Sequence, residues 1–272
     1  MNLDDLTVLI IGFDPYKDVW DIFFELFNKN WKDHPRTLLS TNTLTPQYPN
    51  IEVIPNSEEA EWSMKVINAC QKIETKYICL LLEDFFISSS VDNELISQRL
   101  NMMKQGNIQY LKLLDQRVNN KEIYENNEEI GIIETGLQYG ISLQPAIWEK
   151  TFLLNLIGKE NYNAWIFELN QVKNPIQNIN GVNCLEDFSN PLHIIHGVVQ
   201  QEYLPQAVRS LKKLGIDVTK GKRRIMSGKK YFKYKVKLIA CFHSPIFLKK
   251  PLKRIGRLMG VDFVSDRELG GK

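Results

Sequence analysis

The chain has 272 residues, 43% hydrophobic and 24% charged, the balance of an ordinary soluble globular protein long enough to bury a large core. Its net charge of +2 averages two unlike parts: residues 218–261 hold fourteen Lys or Arg and no Asp or Glu, whereas the other 228 residues hold 20 basic and 32 acidic side chains. No run of about eighteen uncharged apolar residues suggests a membrane span, and the acidic start Met1–Asp5 lacks the positive region of a secretory signal. Cys70, Cys79, Cys184 and Cys241 form no C-x-x-C pair, which suits reduced core thiols in a cytoplasmic protein and argues against zinc-ribbon and disulfide scaffolds.

In chain order, the β-branched run Leu6–Phe13 predicts a strand buried on both faces, ending at Asp14-Pro15-Tyr16. Val19, Trp20, Phe23, Phe24 and Phe27 recur at helical spacing, Arg36–Thr41 and Ile51–Ile54 read as short strands, and Ser57–Ile73 reads as a helix. Tyr77–Leu82 is a fully apolar strand closed by Glu83 and Asp84. A helix over Val91–Gln105, a strand over Gln109–Leu114 and a polar loop or hairpin over Val118–Glu129 follow. A short strand Ile141–Gln144, a helix near Ile147–Ile157, a last strand Leu192–Gly197 and an amphipathic helix Pro205–Leu214 complete the body.

Strands alternating with helices predict an α/β fold with a Rossmann-like, mostly parallel central sheet flanked by helices. Ligands of such sheets bind beyond the carboxyl ends of the strands, where this chain places Asp14 and the pair Glu83-Asp84. Adjacent carboxylates at an apolar strand end are costly unless a cation or donors compensate, and a divalent cation bridging to a diphosphate is one solution. Solvated acids at a turn give the same pattern.

The ordered set of local blocks carries more. Phe13-Asp14-Pro15-Tyr16, the run Asp18–Phe27, Trp31–Pro35, Glu61-Trp62-Ser63, Glu83–Phe86, Ile141–Trp148 and Ala164–Glu168 together resemble bacterial glycosyltransferases of capsular and other surface polysaccharide biosynthesis, over roughly residues 6–205. The resemblance implies a GT-A-like fold over residues 1–217, with a nucleotide-sugar half up to about residue 115 and an acceptor half from 116, followed by a basic extension, 218–272. It implies a nucleotide-sugar donor, a UDP-sugar first of all, and a divalent Mn²⁺ or Mg²⁺ held at Glu83 and Asp84; Glu stands where the family commonly has Asp. Asp14, Thr41, Asn42 and Asp115 are then expected to line the donor pocket, Gln144, Trp148 and Trp165 the acceptor side, and Glu168 to act as general base. Trp165 and Phe167 around Glu168 would raise its pKa and give a sugar ring an apolar face; the alternative is that Trp165, Phe167 and Leu169 pack a core helix with Glu168 in water.

His193 and His196 lie three apart, so in a regular strand they face opposite sides and only one could complete a metal shell. The basic extension interleaves Lys and Arg with Tyr231, Phe232, Tyr234, Phe242 and Phe247, a pattern that suits an anionic membrane surface better than nucleic acid, since the body is acidic and offers no nucleic-acid motif. The enzyme is therefore expected at the inner face of the cell membrane, acting on a lipid-linked saccharide acceptor. A sugar nucleotidyltransferase, or a degenerate carbohydrate- or lipid-binding module, are the competing readings; Gly12–Tyr16 is not the Gly-rich loop that a triphosphate needs.

Overall fold

The computed structural model describes residues 3–114, 122–133, 140–173 and 184–238. They fall into two compact units, the first ending at His196 and the second running over 197–238. Asp115, Cys241 and the basic extension from residue 239 lie outside the described residues.

The first unit begins with β1 (Leu6–Ile11), α1 (Lys17–Asn30), β2 (Thr37–Thr41), β3 (Ile51–Pro55), α2 (Trp62–Cys70) and β4 (Tyr77–Leu82). It continues through β5 (Phe85–Ile87), α3 (Asn93–Gln105), β6 (Tyr110–Lys112), β7 (Ile123–Tyr124) and β8 (Asn127–Ile132). β9 (Ala146–Glu149), α4 (Lys150–Ile157), α5 (Ala164–Lys173), β10 (Cys184–Asp187) and β11 (Ile194–His196) close it.

Nine strands form one mixed, mostly parallel sheet in the order β3-β2-β1-β4-β9-β6-β10-β8-β7. β3, β2, β1 and β4 pair in parallel, and β9 enters antiparallel between β4 and β6. β10 then continues parallel to β6, and β8 and β7 return antiparallel at the edge. The expected α/β class with helices on a mostly parallel sheet is what the structure shows.

Every residue of β1 is buried, which is why its sequence is a continuous apolar run rather than an alternating one. On one face Leu9 and Ile11 join Leu38, Trp62, Val66, Ile78, Leu80, Trp148 and Phe167 in a common core. The chain crosses from β1 to β2 in one direction along the sheet and from β3 to β4 in the other, so right-handed connections send α1 and α2 to opposite faces. On α1, Trp20, Phe23, Phe24 and Phe27 are at most 1% exposed, each contributing about 1.5–3 kcal/mol of burial. Gly12 ends β1 under Trp20: a Cβ there would stand 2.7 Å from Trp20 Cζ2. Trp20 and Trp31 are core residues.

The structure departs from the sequence reading at three points. Ile141–Gln144 is not a strand; the strand is Ala146–Glu149, and helix α4 starts only at Lys150, since β9 is needed to fill the gap between β4 and β6. Leu192–Gly197 supplies a three-residue strand, β11, which leaves the main sheet to pair with β5. β10, hidden in the sequence by an Asn-rich approach, is a central strand with all four residues buried.

The second unit holds the short hairpin β12 (Val198–Val199) and β13 (Glu202–Tyr203), then α6 (Pro205–Lys213) and α7 (Gly228–Leu238). Proline at the first turn of α6 sacrifices no helical hydrogen bond. Tyr203, Leu211, Val218 and Met226 form its small core. Among the described residues no helix is long and apolar enough to cross a membrane.

Candidate functional site

The parallel strands deliver their carboxyl ends to one edge of the sheet, and each end carries polar side chains in place of the apolar run behind it. After β1, the Asp14 carboxylate accepts hydrogen bonds from the backbone N–H groups of Asn42, Thr43 and Leu44 at 2.8–3.0 Å and from the Thr43 hydroxyl at 3.0 Å. Burial opposes its charge, but these four donors hold the carboxyl below its ordinary range. Asp14 thereby fixes the turn that leaves β2. Thr41 is fully buried and donates to Leu44 O at 2.7 Å, so it shapes that turn from within. Asn42 donates to Ala60 O at 2.9 Å and accepts from Lys65 Nζ at 3.2 Å.

Lys65 is the member of this group that sequence reasoning missed. It sits on the apolar face of α2, 4% exposed, and donates to Gly12 O at 2.7 Å, tying the end of β1 to the end of β2. A lysine three residues after Trp62 and one before Val66, inside an apolar stripe, was the available signal. Burial lowers its pKa, while Glu83, Asp14 and Glu61 favour its charge.

After β4, Glu83 and Asp84 diverge. Glu83 turns inward, 7% exposed, and accepts from Phe13 N at 3.1 Å. Burial first, and the neighbouring Asp84 charge second, push its carboxyl up to about 8, against the Lys65 charge and the Phe13 amide, and the side chain braces β4 against β1. Asp84 turns the other way: its Oδ2 lies 3.2 Å from His196 Nε2, whereas its Oδ1 is buried and finds no hydrogen-bond partner among the described residues. The β5–β11 ladder sets His196 opposite Phe85, and the imidazole stacks on that ring at 4.8 Å. His193 is not brought in. It adopts φ +50° just before β11, is exposed, and its carbonyl accepts from the Ser88 amide and hydroxyl.

The same tetrapeptide, Leu-Glu-Asp-Phe, runs from the last residue of β4 through the turn into β5 (Leu82–Phe85) and closes β10 (Leu185–Phe188). In the second copy Asp187 is saturated: Arg99 Nε donates to Oδ2 at 2.6 Å, and the Ser189 amide and hydroxyl donate to Oδ1 at 2.8 and 2.6 Å. Among the described residues Asp84 has no such set, which marks it as the carboxylate with capacity left for a ligand.

Further along the edge, Glu168 on α5 accepts from Leu143 N at 3.0 Å. Burial raises its pKa, against the amide of Leu143 and the charge of Lys112. Lys112 ends β6 fully buried, in register with Glu186 on β10. Trp165, one turn before Glu168, is 54% exposed, whereas Phe167 is fully buried against Trp62. Gln144 precedes β9, and its Oε1 is buried with no partner among the described residues. Trp148 is completely buried, 4.2 Å from the Tyr110 ring, so it belongs to the core and offers no surface to an acceptor.

The residues of Asp84 and His196 fit a divalent cation in part: one hard carboxylate oxygen without a partner and one imidazole. Glu83, buried and accepting from Phe13 N, is oriented toward β1 in place of the His196 side. Among the described residues no group of three or more His, Cys, Asp and Glu is arranged to hold a metal, so a cation there would rely on a ligand's phosphate oxygens to fill its shell. A separate groove, lined by Leu3, Thr7, His34, Arg36 and Thr75 among others, lies at the amino ends of β1, β2 and β4, the edge where parallel α/β sheets do not bind their ligands.

No family model and no curated protein matches this chain. Among solved structures, residues 1–349 of S. aureus TarS are 10% identical at a TM-score of 0.43, covering 91% of this chain and 68% of that one. The same protein in complex with UDP-GlcNAc gives 10% and 0.42, over 86% and 71%. A cytidylyltransferase from Leptospira borgpetersenii is 14% identical at a TM-score of 0.38, over 62% and 71%. At such scores these likenesses assign neither activity nor ligand to this chain.

Proposed function

We propose that this chain is a GT-A-like, nucleotide-sugar-dependent glycosyltransferase that moves a sugar, from a UDP-sugar first of all, to a lipid-linked saccharide acceptor in surface polysaccharide biosynthesis. Residues 1–217 would carry the reaction and the basic residues 218–272 would meet the anionic inner face of the membrane. The observation that carries this reading is the Asp84–His196 pair at the carboxyl edge, with Asp84 Oδ1 buried and without a hydrogen-bond partner among the described residues, on the same sheet edge as the turn that Asp14 holds.

In this reading the 42–44 turn, pinned by Asp14, shapes one wall of the nucleotide pocket, and the exposed Phe13 ring borders it. Asp84 and His196 would hold a divalent cation, which when bound supplies positive charge to the leaving diphosphate. Glu168 takes the proton of the acceptor hydroxyl as that oxygen attacks the anomeric carbon; its raised pKa makes it a better base than a surface carboxylate. Trp165, on the same helix face and exposed, gives the acceptor sugar a ring to lie on.

Sugar transfer measured with D84N and E168Q tests the proposal. D84N should weaken donor binding, and E168Q should leave donor binding intact and remove turnover. A protein whose ligand binding ignores both substitutions is a binding module instead.

A further inference from the structure

The second unit carries a surface that the transfer reaction does not use. Its described residues, 197–238, contain twelve Lys or Arg against two acids, Glu202 and Asp217. Helix α7 is held to this unit along one side: Lys230 Nζ donates to Glu202 at 2.7 Å, and the Tyr231 hydroxyl donates to Gln206 at 3.2 Å. The opposite side faces solvent and has an order of its own. Phe232, 58% exposed, and Val236 lie four residues apart on one stripe, and the exposed Lys229, Lys233 and Lys235 flank it.

Charge complementarity selects the occupant of this stripe: it lies between lysines, in a unit with twelve basic residues and two acids, and so suits an anionic surface. An apolar stripe rimmed by lysines matches a bilayer interface, where the ring enters the acyl boundary and the ammonium groups reach lipid phosphates. The unit's one-sided charge adds long-range attraction to the same surface, each basic residue near an anionic leaflet strengthening partition about fivefold. We infer that the outward face of α7 is a docking surface for an anionic phospholipid bilayer, with Phe232 as its inserted residue. The inference rests on the reading that the C-terminal part meets a membrane and narrows it to one helix; it is independent of the transferase chemistry.

Co-sedimentation of the full chain with vesicles of phosphatidylglycerol and phosphatidylcholine tests it. Wild type should bind the anionic vesicles and not pure phosphatidylcholine. F232S/V236S should bind at least about tenfold more weakly with an unchanged melting temperature, and K229E/K233E/K235E should lose binding by more than that. Double-variant binding equal to wild type would overturn the role of α7 while leaving membrane binding to the residues beyond it. Failure of wild type to bind any vesicle would overturn both. Wild type that ignores vesicles yet binds single-stranded DNA, with loss in the lysine variant alone, would make the surface one for nucleic acid.

Discussion

The imidazole of His196 meets the carboxylate of Asp84 at 3.2 Å across 112 residues of chain, because β11 leaves the main sheet and pairs antiparallel with β5. The short ladder also stacks the His196 ring on Phe85, so the nitrogen facing Asp84 is fixed by packing as well as by its hydrogen bond. If this pair handles the donor diphosphate, D84N should lower kcat/KM by about 100-fold or more, the scale of removing one preorganised electrostatic group. H196A, which leaves the carboxylate in place, should cost about tenfold to 100-fold. Equal activity of both variants with wild type would reduce the pair to a structural contact.

Glu83 behaves oppositely to its neighbour and predicts a pH effect on stability. Its folded-state pKa, about 8, stands above its unfolded value of 4.5. The proton retained on folding therefore stabilises the protein fully below pH 4.5, and this contribution is lost as pH rises toward 8. E83Q keeps an acceptor for Phe13 N but cannot ionise. Its melting temperature should overtake that of wild type by several degrees between pH 6 and 9, and parallel pH profiles for the two proteins would contradict a buried neutral Glu83.

Asp14 gives the reverse sign. Its folded pKa is lowered, so its four hydrogen bonds contribute above the unfolded value of 3.8 and the contribution fades as pH falls through the folded value. D14A should cost about 2 kcal/mol at pH 7, on the scale of bonds to a charged acceptor, and less at pH 3, by urea unfolding. A loss independent of pH would mean that packing, not the carboxylate, holds the 42–44 turn.

Much of this edge was legible in the sequence. Short apolar runs such as Leu6–Ile11 and Tyr77–Leu82 read as doubly covered strands, and in a parallel sheet the acids that follow them emerge at one edge. The different fates of Glu83 and Asp84 were not legible, because they depend on Phe13 and Lys65 on one side and on His196 on the other. Trp148 shows the limit of local patterns: its neighbours match an acceptor block, yet the antiparallel insertion of β9 between β4 and β6 buries it completely. β10 escaped notice because its four residues, Cys184–Asp187, are half acidic, and burial of both acids depends on Lys112 and Arg99 from distant parts of the chain.

Glu168 predicts the shape of the pH–rate curve. A general base works only when ionised, and burial lifts this carboxyl above its ordinary value, so kcat/KM should rise with pH along an acid limb centred above the usual glutamate range. E168Q should remove about 10²–10⁴ of the rate together with that limb. A limb that survives in E168Q would assign it to another group.

The most direct measurement is thermal unfolding of wild type and D84N with UDP-, GDP-, CMP- and dTDP-sugars, each with and without Mn²⁺. At about 100 times the dissociation constant, a cognate donor adds about 2.7 kcal/mol, which raises the melting temperature by about 5–10 °C. A nucleotide-sugar enzyme should show that rise with one donor class, the UDP-sugars first of all, and D84N should lose most of it. Wild type left unmoved by all four would contradict nucleotide-sugar use at this edge.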